Sequence, residues 1–303
     1  MALITRRLFL QGAAGFGLGA AGLGGYAMGI EPGLLLNVTS YVVRPARWPP
    51  GLKLKIAVVA DIHACEPWMS AARVRHIAEA TNALKPDLIA LLGDFAGGHN
   101  YVTAPVMPDA WGEALSILKA PLGIHAVLGN HDWWHGALPR LRGDNGETVR
   151  RTLRAAGFAV MENDALRLEK DGQAFWLLGL GDQMAFRHVG RPGTEGIDDL
   201  DGTLRKLTDD APAIMMAHEP YIFPQVPDRI ALTLCGHTHG GQVNVPLIAS
   251  ALRRGRAPRG PVYGHVARGD ANMVISGGLG TSILPVRFLR PPEIVEIDVS
   301  GTG

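Results

Sequence analysis

Two cysteines, Cys65 and Cys235, are too few for a framework of disulfides, so this chain must be held together by an apolar core. Each lies two positions from a histidine. A small buried hydrophobe is the plainer reading of both, and a single bridge between them is the alternative. An excess of charge of one sign is missing too. A formal net charge of +1 provides no broad field for gathering nucleic acid, which disfavours a nuclease while leaving room for a local basic patch. There is no cluster of thiolates, which argues against a structural zinc site. No internal repeat or low-complexity tract interrupts the body of the chain. What is plentiful is apolar surface: 47% hydrophobic residues against 19% charged is the balance of a globular protein, for which one α/β domain is the simplest fit.

The first thirty residues stand apart. Thr5-Arg6-Arg7-Leu8-Phe9-Leu10 leads into a stretch, 8–30, that carries no charge and is rich in Gly and Ala. This resembles a twin-arginine export signal, whose weak hydrophobicity suits a route for folded cargo, and its length also permits a membrane anchor. No clean A-x-A cleavage site follows, so retention as an anchor with its basic end inside stays open. The expected partners are therefore the twin-arginine export machinery and the membrane. The expected location is the periplasm or cell envelope, with an inner-membrane anchor facing the cytoplasm as the alternative. Residues 31–52, proline-rich and ending in "RPARWPPG", read as an extended linker. The domain proper is expected over 53–299.

Within that domain, "LKLKIAVVADIH", "PDLIALLGDF" and "GIHAVLGNHD" are apolar strands that end in polar residues, with helices predicted near 70–84 and 109–119 between them. Such alternation predicts right-handed crossovers that bring the strand ends to one carboxyl edge, where ligand chemistry is the default expectation. A helix is predicted near 144–156. After it, a Lys-Asp-Gly turn between two apolar runs in "FAVMENDALRLEKDGQAFWLLGLGD" signals a β-hairpin. A helix near 198–208 precedes the strands "PAIMMAHEP", "IALTLCGHTHGGQ" and "NMVISGGLG", and "EIVEIDVS" closes the chain. The sum is two sheets face to face with helices outside.

Five strand ends carry the chemistry: Asp61-Ile62-His63, Gly93-Asp94, Gly129-Asn130-His131-Asp132, His218-Glu219 and Gly236-His237-Thr238-His239. On an extended strand an i, i+2 pair points to one side, so Asp61 with His63, and His237 with His239, read as two arms of a cage. Carboxylate, imidazole and amide oxygen together suit divalent Mn, Fe, Zn or Co, with Mn favoured. Seven such donors (Asp61, His63, Asp94, Asn130, His218, His237 and His239) exceed what one ion needs. Taken singly these residues have plain alternatives, Gly93-Asp94 as a turn and His218 as a loop histidine; the ordered set is what points to metal.

That ordered set resembles the calcineurin-like metallophosphoesterases over residues 53–299. The resemblance implies a four-layer α/β/β/α sandwich of two mixed sheets with two divalent metal ions at the strand carboxyl ends. It implies that Asp61, His63 and His239 hold the first metal, that Asn130, His218 and His237 hold the second, and that Asp94 bridges both. Two cations about 3.5–4 Å apart lower the pKa of a shared water and clamp the phosphoryl oxygens of an in-line displacement. His131, diverging from Asn130 on an extended segment, is expected to face the substrate and to protonate the leaving group, with Asp132 orienting its ring.

For the substrate, the sequence supplies Arg253, Arg254, Arg256 and Arg259 in "RRGRAPRG", either a solvated loop or readers of a second phosphate or an anionic membrane surface. Trp68, Trp133 and Trp134 are core residues or an apolar rim. His99, in "GDFAGGHN", is a candidate substrate contact. "CGHTHGGQ" and "PVRFLRPPEIVEI" look most like the bacterial exported or membrane-associated phosphodiesterases, some of which cleave the pyrophosphate of UDP-2,3-diacylglucosamine. The expected activity is hydrolysis of a phosphodiester or pyrophosphate in a lipid-linked or envelope substrate. The alternatives are a phosphomonoesterase or nucleotidase, and a non-catalytic binding module.

Overall fold

The structure, a computed structural model, describes residues 17–97, 99, 101–134, 143–188, 192–245 and 260–301. In chain order its strands are β1 (Asn37–Val43), β2 (Lys53–Val59), β3 (Cys65–Glu66), β4 (Leu88–Leu92), β5 (Ala104–Pro105), β6 (Ile124–Val127), β7 (Ala159–Val160) and β8 (Asp164–Lys170). They continue as β9 (Gln173–Gly179), β10 (Phe186–Arg187), β11 (Thr194–Glu195), β12 (Ala213–Met216), β13 (Ile230–Cys235), β14 (Gly264–Arg268), β15 (Ala271–Ile275) and β16 (Glu293–Ser300). Two six-stranded sheets result, ordered β1-β16-β2-β4-β6-β7 and β14-β15-β13-β12-β9-β8. The strands β2, β4, β6 and β7 run parallel in the first, and β9, β12, β13 and β15 run parallel in the second.

Alternation along each strand builds the layers. Leu54, Ile56 and Val58 of β2 and Leu88, Ala90 and Leu92 of β4 meet Phe175, Leu177, Ile214, Met216, Leu232 and Leu234 of the second sheet in a core between the sheets. Their neighbours Ala57, Val59, Ile89 and Leu91 face the opposite way, onto helices Ala71–Ala83, Pro108–Leu115 and Glu147–Ala155. Beyond the second sheet, Trp176, Leu178, Met215 and Ile230 pack on Ile222 and Phe223 of the turn Pro220–Gln225 and on helix Leu200–Arg205. The fold is thus the expected α/β/β/α sandwich. The predicted hairpin is β8–β9, and its two-residue turn places Asp171 (φ 51°) and Gly172 (φ 74°) in the left-handed region that such hairpin turns require.

Part of the expected linker belongs to the fold instead. Asn37–Val43 pairs in parallel with β16 along its whole length. Its pattern is inverted: Val38 and Val42 are exposed, whereas Thr39 and Tyr41 are half-buried and Thr39 donates its hydroxyl to the Glu293 carboxylate. Apolar alternation could not flag a strand that turns Val38 and Val42 outward and Thr39 and Tyr41 inward, with only Val43 fully buried. The segment before it is docked as well. The Ala27 carbonyl accepts from the Arg287 amide at 2.9 Å, and the Met28 carbonyl accepts from Trp68 Nε1 at 2.6 Å. The fully buried Glu31 carboxylate caps the amides of Leu289 and Arg290 at 3.0 and 2.5 Å. Among the described residues, no helix is long and apolar enough to cross a membrane, and the Thr5–Leu10 motif lies outside them.

Candidate metal centre

The seven expected donors all follow the carboxyl ends of β2, β4, β6, β12 and β13, in the loops or the short helical turns that begin there. The backbone geometry differs from the extended one that sequence alternation implied. Asp61, His63, Asp94, His237 and His239 take φ values of 54°, 46°, 56°, 68° and 52°. Left-handed non-glycine residues are uncommon and cost of order 1 kcal/mol or more each, and such strain concentrates at functional sites. It keeps Asp61 and His63 in one donor group but sends His237 and His239 to different ones. Asn130 and His131 likewise lie in a short helix, Asn130–Trp134, and diverge by helical rotation. Gly129 is forced by close approach, since a Cβ there would stand 2.4 Å from Asp94 Oδ1 and 2.6 Å from His218 Cε1.

The side chains converge as two groups, Asp61 with His63 and His239, and Asp94 with His218 and His237, the donor atoms within each lying within 4.8 Å of one another. Asn130 joins the second group, its Oδ1 2.9 Å from His237 Nδ1. One atom touches both: Asp94 Oδ2 is 3.4 Å from His63 Nε2 and 3.3 Å from His218 Nε2.

These residues fit a pair of cations. His63 Nδ1 meets the Ala96 carbonyl at 3.2 Å, His218 Nδ1 the Leu92 carbonyl at 2.6 Å, and His239 Nδ1 the Gly280 carbonyl at 3.3 Å. A carbonyl can only accept, so Nδ1 of His63 and His218 carries a proton, as does His239 Nδ1 when it bonds Gly280 and not Arg287 Nη2 at 3.4 Å; each ring, once neutral, then turns an Nε2 lone pair inward, the arrangement that metal-binding histidines adopt. His63 Nε2 and His239 Nε2 then face each other at 3.1 Å with no proton to share when both rings are neutral, a repulsion that a cation between them relieves.

The electrostatics point the same way. Burial pushes His63 and His239 below the ordinary histidine range and His237 down to about 3, so these rings are neutral, as ligands must be. Burial also pushes Asp61 up to about 7, leaving a carboxyl that gains charge readily only beside a cation. Burial would raise Asp94 too, but His218, His131 and His63 outweigh it and hold that carboxylate well below its usual range. Burial would likewise lower His218, yet Asp94 outweighs it and keeps the imidazolium protonated.

One expectation needs correction. Asp132 does not orient the ring of His131. Its buried carboxylate accepts from the amides of Gly129 and Asp94 at 2.9 and 2.8 Å through Oδ2, and from Phe95 and Ala96 at 2.9 and 3.3 Å through Oδ1. It is a clamp joining the Asp94 turn to the Asn130 helix. His131 does border the centre, its ring 4.8 Å from that of His63, and its Nε2 lies 3.4 Å from Ser282 Oγ. Its backbone amide donates to Asp94 Oδ1 at 2.8 Å. Cys65 and Cys235 are both free and buried, so no bridge forms between them.

Sequence reasoning missed several supporting residues. Arg287 is fully buried and donates to the carbonyls of Gly277, Gly280 and Arg290, bracing the loop whose Gly280 carbonyl orients His239. Gln242 Oε1 accepts from the Ser282 amide at 2.6 Å. An arginine in "PVRFLRPPEI" gave no sign of being buried; its partners are backbone carbonyls with no sequence signature. His99 is buried between Trp68 and Tyr101, with Nε2 3.4 Å from Thr281 Oγ1. Trp133 packs against the helical layer, and Trp134 stands 5.5 Å from His131, ring to ring. Arg253, Arg254, Arg256 and Arg259 lie outside the described residues.

Comparison with known proteins matches residues 54–241 to the family model described as calcineurin-like phosphoesterase. The chain is 31% identical to the uncharacterized metallophosphoesterase YkuE of Bacillus subtilis, covering all of both chains. It is 27% identical to the phosphodiesterase YaeI of Escherichia coli, covering 98% of this chain and all of that one. It is also 27% identical to an uncharacterized metallophosphoesterase of Aquifex aeolicus, over 88% of this chain and 93% of the other.

Proposed function

The chain belongs to the calcineurin-like phosphoesterases and is a metal-dependent phosphoester hydrolase; from that premise we propose that it cleaves a phosphodiester or pyrophosphate bond in a lipid-linked or envelope substrate, of the UDP-2,3-diacylglucosamine kind. The observation that carries the reading is the single oxygen of Asp94 standing between the two donor groups. Asp61, His63 and His239 would hold one divalent ion, Asn130, His218 and His237 the other, and Asp94 both. Two such ions would lower the pKa of a shared water and offset charge gathering on the phosphoryl oxygens. His131, beside the first group and next to the Ser282 hydroxyl, would give a proton to the departing oxygen.

An apolar rim supports the membrane side of this reading. Ile283 is 80% exposed, one residue beyond Ser282, and Leu289 and Leu34 are 48% and 70% exposed. The Glu31 cap on Leu289 and Arg290 ties the turn carrying Leu34 to the loop carrying Leu289. Exposed aliphatic side chains grouped beside a site suit an amphiphilic substrate at a bilayer interface.

The test is hydrolysis by the full-length, Mn-loaded protein. Bis-p-nitrophenyl phosphate should be cleaved with a kcat/KM at least about tenfold above that for p-nitrophenyl phosphate. A strong preference for the monoester would reverse the assignment to diesters, and turnover of neither would favour a binding module. The role of His131 has its own measurement. His131→Ala should retain both ions and slow esters with poor leaving groups by roughly 10²–10⁴-fold, while nitrophenyl esters, which leave without a proton, suffer less. Equal slowing of both would remove His131 from the acid role.

A further inference from the structure

Two arginines of this protein stack on adjacent tryptophans, and their surroundings differ. Arg150 lies over Trp133 at 4.6 Å and is neutralised by Glu162, whose carboxylate takes Nε at 2.6 Å and Nη2 at 2.7 Å. It is a structural cation. Arg187, on β10, lies over Trp134 at 3.8 Å and has no carboxylate. Every Asp and Glu of the chain is among the described residues, and none forms an ion pair with Arg187. A guanidinium stacked on an aromatic face keeps its in-plane N–H donors at the edge, where a carboxylate or phosphate can meet them in fork geometry.

The platform is rigid. Trp134 donates Nε1 to the Met184 carbonyl at 2.9 Å, Phe186 packs edge-on against Trp133 at 5.4 Å, and β10 is paired with β11. Its position relative to the centre is ordered as well. His131 lies 4.8 Å from His63, Trp134 lies 5.5 Å from His131, and Arg187 follows at 3.8 Å. The exposed cation therefore stands one ring beyond the residue assigned to the leaving oxygen, with its own partner position open.

We propose that Arg187, mounted on Trp134, binds an anionic phosphoryl group on the leaving side of the scissile bond, and so selects pyrophosphate-linked substrates over simple diesters. The inference rests on the phosphoesterase reading above and on His131 facing the leaving group. Water adds across the bridge: its oxygen joins one phosphorus, the bridging P–O bond breaks, and the bridging oxygen leaves with the second phosphoryl group and takes a proton. The released phosphomonoester carries the charge that Arg187 meets.

The experiment uses the full-length, metal-loaded protein with Arg187→Ala and Arg187→Lys variants. The substrates are diadenosine pyrophosphate, whose leaving group is AMP, and bis-p-nitrophenyl phosphate, whose leaving group has no phosphoryl charge. Arg187→Ala should lower kcat/KM on the pyrophosphate about 10- to 100-fold, chiefly through KM, and weaken inhibition by AMP. The loss should exceed that on the diester by at least about tenfold, and Arg187→Lys should restore part of it. Equal losses on the two substrates would overturn the proposal, as would a wild-type protein that cleaves the diester and leaves the pyrophosphate intact. A wild-type protein inert toward both would instead remove the hydrolase reading on which it rests.

Discussion

Asp94→Asn is expected to hold fewer than two ions per chain and to lose on the order of a thousandfold or more in kcat/KM on bis-p-nitrophenyl phosphate. Asp94 Oδ2 faces His63 Nε2 and His218 Nε2 at nearly equal distances, while Oδ1 accepts from the His131 amide. An asparagine that keeps its oxygen on the His131 amide must turn its NH2 toward those two imidazoles. The amide would then donate to lone pairs meant for metal, and a negative charge that offsets two cations would be gone. The side chain is nearly isosteric, so the fold should survive. Elemental analysis after dialysis, set beside the kinetics, decides the point: two full equivalents of metal with near wild-type turnover would contradict the shared-oxygen assignment.

Asp132→Ala should be the most destabilising substitution at the site, although Asp132 touches no proposed ion. Its carboxylate satisfies four backbone amides, those of Gly129, Asp94, Phe95 and Ala96, in a buried setting. A buried N–H left without a partner costs roughly 1–3 kcal/mol, so even with water entering the gap a loss on the order of 4 kcal/mol is expected. Urea unfolding of the metal-free protein reads this directly. Activity should fall in parallel, because the turn presenting Asp94 loses its clamp. A midpoint within experimental error of wild type would show that the four amides find other acceptors.

The order of elements was legible because hydrophobic periodicity reports it. The predicted helix near 70–84 is Ala71–Ala83, that near 144–156 is Glu147–Ala155, and the Lys-Asp-Gly turn is the β8–β9 corner. The donors were legible because metal chemistry restricts residue type and each follows an apolar strand. Their directions were not. Asp61 with His63, and His237 with His239, read as alternating pairs on extended chain, yet all four are left-handed, and the members of the second pair go to different groups. Backbone conformation at such points is set by tertiary contacts, among them the tight approach of Gly129 to Asp94, that no local pattern encodes. Asp132 was misread for the same reason. A carboxylate one residue from a histidine suggests a side-chain pair, and its real partners are amides up to 38 positions away. β1 escaped notice because its inward face is Thr39 and Tyr41 before the single buried Val43, while Val38 and Val42 point outward.

The place of β16 sets a schedule for the molecule's birth. This strand is the last in chain order among those described, yet it sits second in its sheet, between β1 and β2. A ribosome must therefore reach residue 293, tens of seconds of work at roughly 5–20 residues per second, before β1 has any neighbour to pair with. The amides of Leu279 and Gly280, which bond back to the carbonyls of Ala60 and Asp61, come off the ribosome only slightly earlier. The nascent chain thus carries its first donors, Asp61 and His63, for most of synthesis without the wall that closes over them. The first donor group is thus complete in sequence only at His239, and its wall closes only once residues 279 and 280 have joined it.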